Sequence, residues 1–450
     1  MEQSDALDAL QTFRESLYRC FDRRADVLFE LTDAILTAGV VPSPVHLSLE
    51  AVHRRGWGSL YAALWQGRID AEALRSLLVR YPLPAESGTT PVYALDVSVW
   101  SRCDAESSPE RGFYYHPSRH SAGQPIVAGW AYQWIVQLGF ARESWIAPMD
   151  VLRVRPTENP NEVAAEQIKR LLQRAPGRSC DDAPLFVFDA GYDPVRLQTG
   201  TEGWKAQILV RLRAGRCFYA DPEGPPAPTG RPRRHGPKMD TGDPQTWPEP
   251  SDEHRCEDPS YGRVYVRAWA GLHPKTHNHP TRGTRRPRPI ARGTLVLVEV
   301  SRLPRPTREP RKLWLWWAGP GEPDLDLLWR AYVRRFDLEH TFRFLKQTLG
   351  WTTPRVRHPE QADRWSWLIL AAYVQLRLAR PCVADRRLPW ERRYAAGQLT
   401  PCRVRRSVLA LLLELGTPAN PPKPCGRSPG RPKGSRSGRA KRYPAFKKAA

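Results

Sequence analysis

An α/β protein with a mixed sheet at its core is what the sequence predicts, and three observations predict it. Between residues 91 and 213, short apolar runs of β-type residues alternate with amphipathic helical spacing. Before that stretch apolar residues recur at helical intervals, and after residue 321 they do so again. In between, residues 214–320 are rich in Pro, Gly and Arg and carry only strand-like islands. The expected layout is a helical domain at 1–88, a core in two parts at 89–213 and 321–420, a β-rich insertion at 214–320 and a basic disordered tail at 421–450.

The bulk properties narrow the class of partner. A formal charge of +22 and a pI near 10.0 favour a polyanion, with nucleic acid the first candidate. Eight cysteines are scattered without a C-x2-C pair, which argues against a zinc module and against a disulfide framework. The N-terminus, MEQSDALDAL, has acids where a signal peptide needs a basic start and an apolar run. Trp365–Leu378 is too short and too interrupted, by Gln375 and Arg377, for a membrane span. A soluble, cytoplasmic chain with reduced thiols is the expectation.

Each element follows from its own pattern. Phe13, Leu17 and Phe21, then Val27, Leu28, Leu31 and Ile35, repeat at helical spacing, and short helices around Gly56 and Gly67 follow as far as Pro82 and Pro84. Such a unit could present a helix to DNA or simply pack; no helix-turn-helix pattern stands out. From Pro91 the period changes. VYALDVSVW predicts a buried strand holding Asp96, and Pro125–Phe140 and Ser144–Val154 predict two more. NEVAAEQIKRLLQRA predicts a helix with Val163, Ile168, Leu171 and Leu172 on one side. PLFVFDAGYD predicts a buried strand ending at Asp189; a short helical or looped stretch and a strand over Trp204–Arg213 come next. Parallel neighbours in such a sheet put their carboxyl ends on one edge, where ligands usually sit, so Asp96 and Asp189 can meet there.

From Ala214 to about Arg311 the strand-like islands YGRVYVRAWAG and GTLVLVEVSRL stand among basic loops, with KLWLWWAG at the end. A stretch this long is either a β-rich insertion or a disordered spacer, with Gly230–Pro237 a flexible basic segment. Gly350 predicts a helix stop, and RHPEQADRWSWLILAAYVQLRLAR and PCRVRRSVLALLLELGTP predict two apolar helices. Residues 421–450 hold ten Lys and Arg and no acid.

Within YVRRFDLEHTFRFLK, residues Tyr332, Arg335, Glu339 and Lys346 fall at about 0°, 300°, 340° and 320° on an unbroken helix. Leu338, Phe342, Leu345 and Leu349 form an apolar stripe beside them. Any amphipathic helix offers these spacings, and a break near Phe336 would end the stripe. Lys346 is nonetheless the one lysine between Lys312 and Lys423 in an arginine-rich chain.

These four residues, Y-x2-R-x3-E-x6-K, resemble the signature of a group of bacterial insertion-sequence transposases of the DDE superfamily. The order strand, strand, strand, helix, strand, helix, strand resembles their ribonuclease-H-like core, and the D-x3-D spacing of Asp189 and Asp193 is similar to their second acidic motif, although the residues between differ. The resemblance implies a catalytic, metal-binding triad of Asp96, Asp189 and Glu339, holding two Mg2+ ions for which Mn2+ can substitute, with Asp96 bridging both. It further implies that Tyr332, Arg335 and Lys346 grip phosphates beside the scissile bond, and that an aromatic residue of the insertion stacks on a flipped base. Trp317 is the candidate for stacking, because Trp314 and Trp316 share one face of a strand and read as core. Arg431 and Lys433, in PGRPKG, are similar to the core of the AT-hook, a minor-groove element.

The implied activity is cut-and-paste transposition: binding of terminal inverted repeats, metal-dependent cleavage, and joining of 3′-OH ends to target DNA. Double-stranded DNA and a second copy of the chain, as a homodimer, are the implied partners, and the bacterial nucleoid the implied location. Another ribonuclease-H-like nuclease, or a non-catalytic DNA-binding protein derived from a transposase, are the alternatives.

Overall fold

The computed structural model describes all residues except 1–2, 85–88, 117–124, 142, 144, 175–182, 225–232, 276–289, 305–311, 396–397, 425–429, 431, 437 and 448–450. In chain order the N-terminal region forms α1 (Gln3–Arg19), β1 (Phe21–Arg23), α2 (Ala25–Thr37), α3 (Trp57–Gln66), β2 (Arg68–Ile69) and α4 (Ala71–Val79). Helix α2 is buried along Val27–Leu36, including its acids Glu30 and Asp33. Buried charge of this kind survives only when paired. Arg54 and Arg55 meet Glu30, and Arg14 forms a fork on Asp33 at 2.7 and 2.9 Å. The Arg14 guanidinium also donates to Gln375 Oε1 and to the Gly416 carbonyl, far along the chain. The Asp70 side chain caps α4 by accepting from the Glu72 and Ala73 amides.

The core follows as β3 (Val92–Ser101), β4 (Gly112–Tyr115), β5 (Ile126–Leu138), β6 (Ala147–Val154), α5 (Pro160–Arg174), β7 (Leu185–Phe188), α6 (Pro194–Gly200) and β8 (Gln207–Arg211). Apart from the short β4, this is the expected order. The insertion holds β9 (Cys217–Tyr219), β10 (Lys238–Asp240), β11 (Asp252–Asp258), β12 (Gly262–Pro274), β13 (Gly293–Val300) and β14 (Leu313–Ala318). Four helices close the chain: α7 (Leu325–Arg334), α8 (Phe336–Gln347), α9 (Pro359–Ala379) and α10 (Pro401–Leu415). Among the described residues, no helix is long and apolar enough to cross a membrane.

The chain divides into two units, each gathered from separate segments. One comprises Ala85–Asp96 and Pro160–Phe336, and its strands lie in the order β10, β9, β12, β13, β14, β8, β7, β3, with β11 beside β12. Strands β3, β7 and β8 are parallel, whereas the insertion strands join by antiparallel pairs, from β8 to β14, β13 and β12. The insertion is thus a continuation of the sheet. Leu295, Leu297, Trp314, Trp316, Trp269 and Phe218 form its apolar core.

The other unit comprises Met1–Pro84, Val97–Asn159 and Asp337–Ala450. Here the second half of β3 lies beside β5, which also pairs with β4 and β6. Helix α9, buried along most of its length, packs against α1, α2, α10 and β6. Trp351 is fully buried and meets Trp134, Tyr132 and Phe342 ring to ring at 4.9–6.0 Å. The tail, expected to lack structure, is held near its end. The Tyr443 amide donates to Glu106 O, the Phe446 amide to Arg111 O, and the Arg111 guanidinium back to Tyr443 O. The large mixed sheet fits the ribonuclease-H-like class.

Candidate active site

The division between the units falls within β3, directly after Asp96. Before that point Val92, Tyr93, Ala94 and Leu95 are all at most 2% exposed, and Asp96 is the first half-buried residue of the strand. Its parallel neighbour β7 is buried throughout and ends one residue before Asp189. Their register runs Val92↔Leu185, Tyr93↔Phe186, Ala94↔Val187. Asp96 lies two residues past the last paired residue of β3 and Asp189 directly follows β7, so both acids stand at the carboxyl end of the pairing between these neighbouring parallel strands.

The turn after β7 is built around the second acid. Asp189 Oδ1 accepts from the Gly191 amide at 2.8 Å, and a Cβ at Gly191 would come within 3.0 Å of that oxygen. Glycine lets the loop close on the carboxylate. Asp193, which completes the D-x3-D spacing, serves the backbone instead, since its side chain accepts from the Val195 and Arg196 amides and caps α6. Between them Tyr192 is buried against Phe188, with the ring centroids 4.9 Å apart. Burial first, and then the charges of Asp96 and Asp189, push its phenol well above the ordinary value, against the opposing pull of Arg335. Tyr192 therefore shares the electrostatic neighbourhood of both acids and stays a neutral phenol. Sequence reasoning passed over it, although it stands in the same DAGYD motif.

Arg335 is the counter-charge. The helical run expected to continue from Tyr332 to Lys346 is interrupted at this residue, which closes α7 with its amide shared between Ala331 O and Tyr332 O. Arg335 itself keeps right-handed helical angles, φ −53° and ψ −30°, between α7 and α8. Instead of reaching outward, Arg335 is 3% exposed, donates from Nη1 to Asp96 Oδ2 at 3.1 Å, and lies over the rings of Tyr332 and Phe336. Tyr332 is likewise buried, and its hydroxyl has no hydrogen-bond partner among the described residues. Neither side chain presents itself to a phosphate in this structure.

Glu339 and Lys346 lie on α8, in the unit that does not contain Asp96, Asp189 and Arg335. Glu339 is exposed in the first turn, while Leu338, Phe342, Leu345 and Leu349 are buried, as their spacing predicts. Lys346 is half-buried with Nζ 5.7 Å from the centre of the Trp351 ring. The base-stacking role expected for Trp317 meets a physical obstacle. Its ring is 4% exposed and its indole N–H donates to Gln207 Oε1 at 3.0 Å, so it packs within the sheet on the face opposite Trp314 and Trp316. Lys433 is exposed; Arg431 lies outside the described residues.

Two carboxylates at the carboxyl end of a pair of neighbouring parallel strands offer hard oxygen donors, the kind that Mg2+ and Mn2+ take. The family model for DDE superfamily endonucleases matches residues 16–275. The chain belongs to the DDE superfamily endonucleases. Nuclease domains of this superfamily act on DNA with divalent metal ions. No match appears among curated proteins. The matched range of this DDE endonuclease takes in Asp96, Asp189 and the strands that carry them, and it ends at β12, before Arg335, Glu339 and Lys346.

Proposed function

We propose that this DDE endonuclease is a cut-and-paste transposase of an insertion sequence, with Asp96, Asp189 and Glu339 as its three metal-binding acids. The observation that carries the reading is the placing of Asp96 and Asp189 at the carboxyl end of the pairing between the neighbouring parallel strands β3 and β7, joined to the Y-x2-R-x3-E-x6-K spacing that supplies Glu339. Asp96, Asp189 and Glu339 would hold divalent ions, Mg2+ in the cell, through their carboxylate oxygens. When bound, such ions activate an attacking oxygen and stabilise the leaving oxygen of an in-line phosphodiester displacement. In the first step a water oxygen bonds to phosphorus, the bond to the 3′ oxygen breaks, and that oxygen leaves as a 3′-OH. In the second, this 3′-OH attacks a target phosphodiester and displaces a target 3′ oxygen. Arg335 balances the charge of Asp96 until metal and DNA arrive, and Lys346 and the exposed cations of the tail hold phosphates. Joining two element ends makes the working form a homodimer, and its substrate places it at the bacterial nucleoid.

The test is incubation of the full chain with Mg2+ or Mn2+ and DNA carrying the element's ends. Asp96→Asn, Asp189→Asn and Glu339→Gln each abolish cleavage and strand transfer while end binding persists. Cleavage of branched or damaged DNA, with no transfer to a target, would make the protein a ribonuclease-H-like repair nuclease instead. Binding without any cleavage by the unsubstituted chain would leave a transposase-derived DNA-binding protein.

A further inference from the structure

A second group of ligating side chains stands in the insertion, apart from the acids of β3 and β7. On β11 His254 and Cys256 are two residues apart and therefore share one face, half-buried, while Glu253, Arg255 and Glu257 between and beside them are exposed. Asp326, in the first turn of α7, meets that face. The Nε2, Sγ and carboxylate oxygen of these three residues all lie within 4.8 Å of one another.

Their atoms are near enough to one another to reach a shared ion. His254 Nε2 is 3.4 Å from Asp326 Oδ1, yet this buried nitrogen has no hydrogen-bond partner among the described residues. A tetrahedral zinc with bonds of about 2.0 Å to N and O and about 2.3 Å to S separates N from O by about 3.3 Å and N from S by about 3.6 Å. The His–Asp distance already matches, and Cys256 Sγ lies within 4.8 Å of both. The carboxylate is also steadied from outside: Trp329 Nε1 donates to Asp326 Oδ1 at 3.0 Å and Arg330 Nη1 to Oδ2 at 2.9 Å. Such outer hydrogen bonds orient a ligating carboxylate. Trp329 is in turn set edge-on to Tyr261, in the turn between β11 and β12.

We propose that His254, Cys256 and Asp326 form a zinc-type transition-metal site that ties β11 to the start of α7. One imidazole, one thiolate and one carboxylate select a borderline-soft ion over Mg2+, so this site and the paired aspartates draw on different metals. Such a tie would hold β11, whose one strand partner among the described residues is β12 and five of whose seven residues are charged. The helix so anchored is the one that ends at Arg335, whose guanidinium rests on Asp96.

The test uses the full chain, loaded with Zn2+ and dialysed into metal-free buffer, with bound metal counted by mass spectrometry. The expected result is one zinc retained per chain, with affinity at least about 10-fold weaker in His254→Ala, Cys256→Ser and Asp326→Asn. An Asp96→Asn/Asp189→Asn variant keeps its zinc. Co2+ added to the unsubstituted, metal-free protein gives a thiolate-to-cobalt charge-transfer band that survives in Cys217→Ser and vanishes in Cys256→Ser. This readout on the unsubstituted chain stands even where a variant fails to fold. No retained zinc and no such band, or retention and a band indifferent to Cys256→Ser, overturns the proposal.

Discussion

Arg335 shows how far a single charged side chain can depart from what its letter suggests. It is 4% exposed at the side chain, against 18% for the Asp96 carboxyl it meets. Removing one partner of a buried ion pair costs about 3–5 kcal/mol, because the other charge keeps its desolvation penalty. Arg335→Ala is therefore expected to lose about 3 kcal/mol in urea denaturation, with Mg2+ or Mn2+ restoring part of the loss by supplying the missing positive charge. Restoration that persists in Arg335→Ala/Asp96→Asn would disconnect the effect from this carboxylate. Trp317 makes a second residue-scale prediction. Trp317→Phe keeps most of the ring volume but gives up the bond to Gln207, at about 1 kcal/mol, whereas Trp317→Ala leaves a cavity worth about 3–5 kcal/mol. Thermal unfolding would show this ranking, and if both variants melted like the unsubstituted protein while losing a DNA step, the ring would be a DNA contact after all.

Elements, more than residues, decide which expectations survive. Strands β3, β5, β6, β7, β8 and β12–β14 were legible because each is an apolar run long enough to declare its period, and α9 because it is apolar nearly all round. Strands β9 and β10 have three residues each, too few to show a period, and β11 reads DEHRCED, with no apolar alternation to find. That strand exists because β12 offers seven consecutive partners from Gly262 to Ala268. Both strand acids of the candidate site could be read from their settings. The sequence leaves a break near Phe336 open, but the burial of the Arg335 side chain could not be read, since nothing in YVRRFDLEH announces that an aspartate in β3 pairs with the guanidinium. Asp193 shows the converse, a motif position whose spacing suggests chemistry and whose hydrogen bonds show a helix cap. Asp193→Ala should destabilise the fold by about 1 kcal/mol and leave metal-dependent cleavage at its original rate once folded, a pair of outcomes read by denaturation and by single-turnover assay.

For the molecule as a whole, the excess of 22 positive charges governs how it meets DNA. Binding that neutralises Z phosphates falls with salt as about the 0.9Z power of concentration. Lys433, Arg436 and Arg439 are exposed in the tail, so replacing all three by Ala should flatten the log–log salt dependence of DNA affinity by about 3 if each neutralises a phosphate. An unchanged slope would assign those cations to solvent. The Arg14 fork carries a consequence for how the protein is made. Helices α1 and α2 are synthesised well before Gln375 and the Gly416 carbonyl, which complete the hydrogen bonding of Arg14. Until then the buried Arg14–Asp33 pair stays wet and the apolar faces that α9 covers stay open. A chain that lacks residues from 416 onward is therefore expected to be digested faster in limited proteolysis than one that has them.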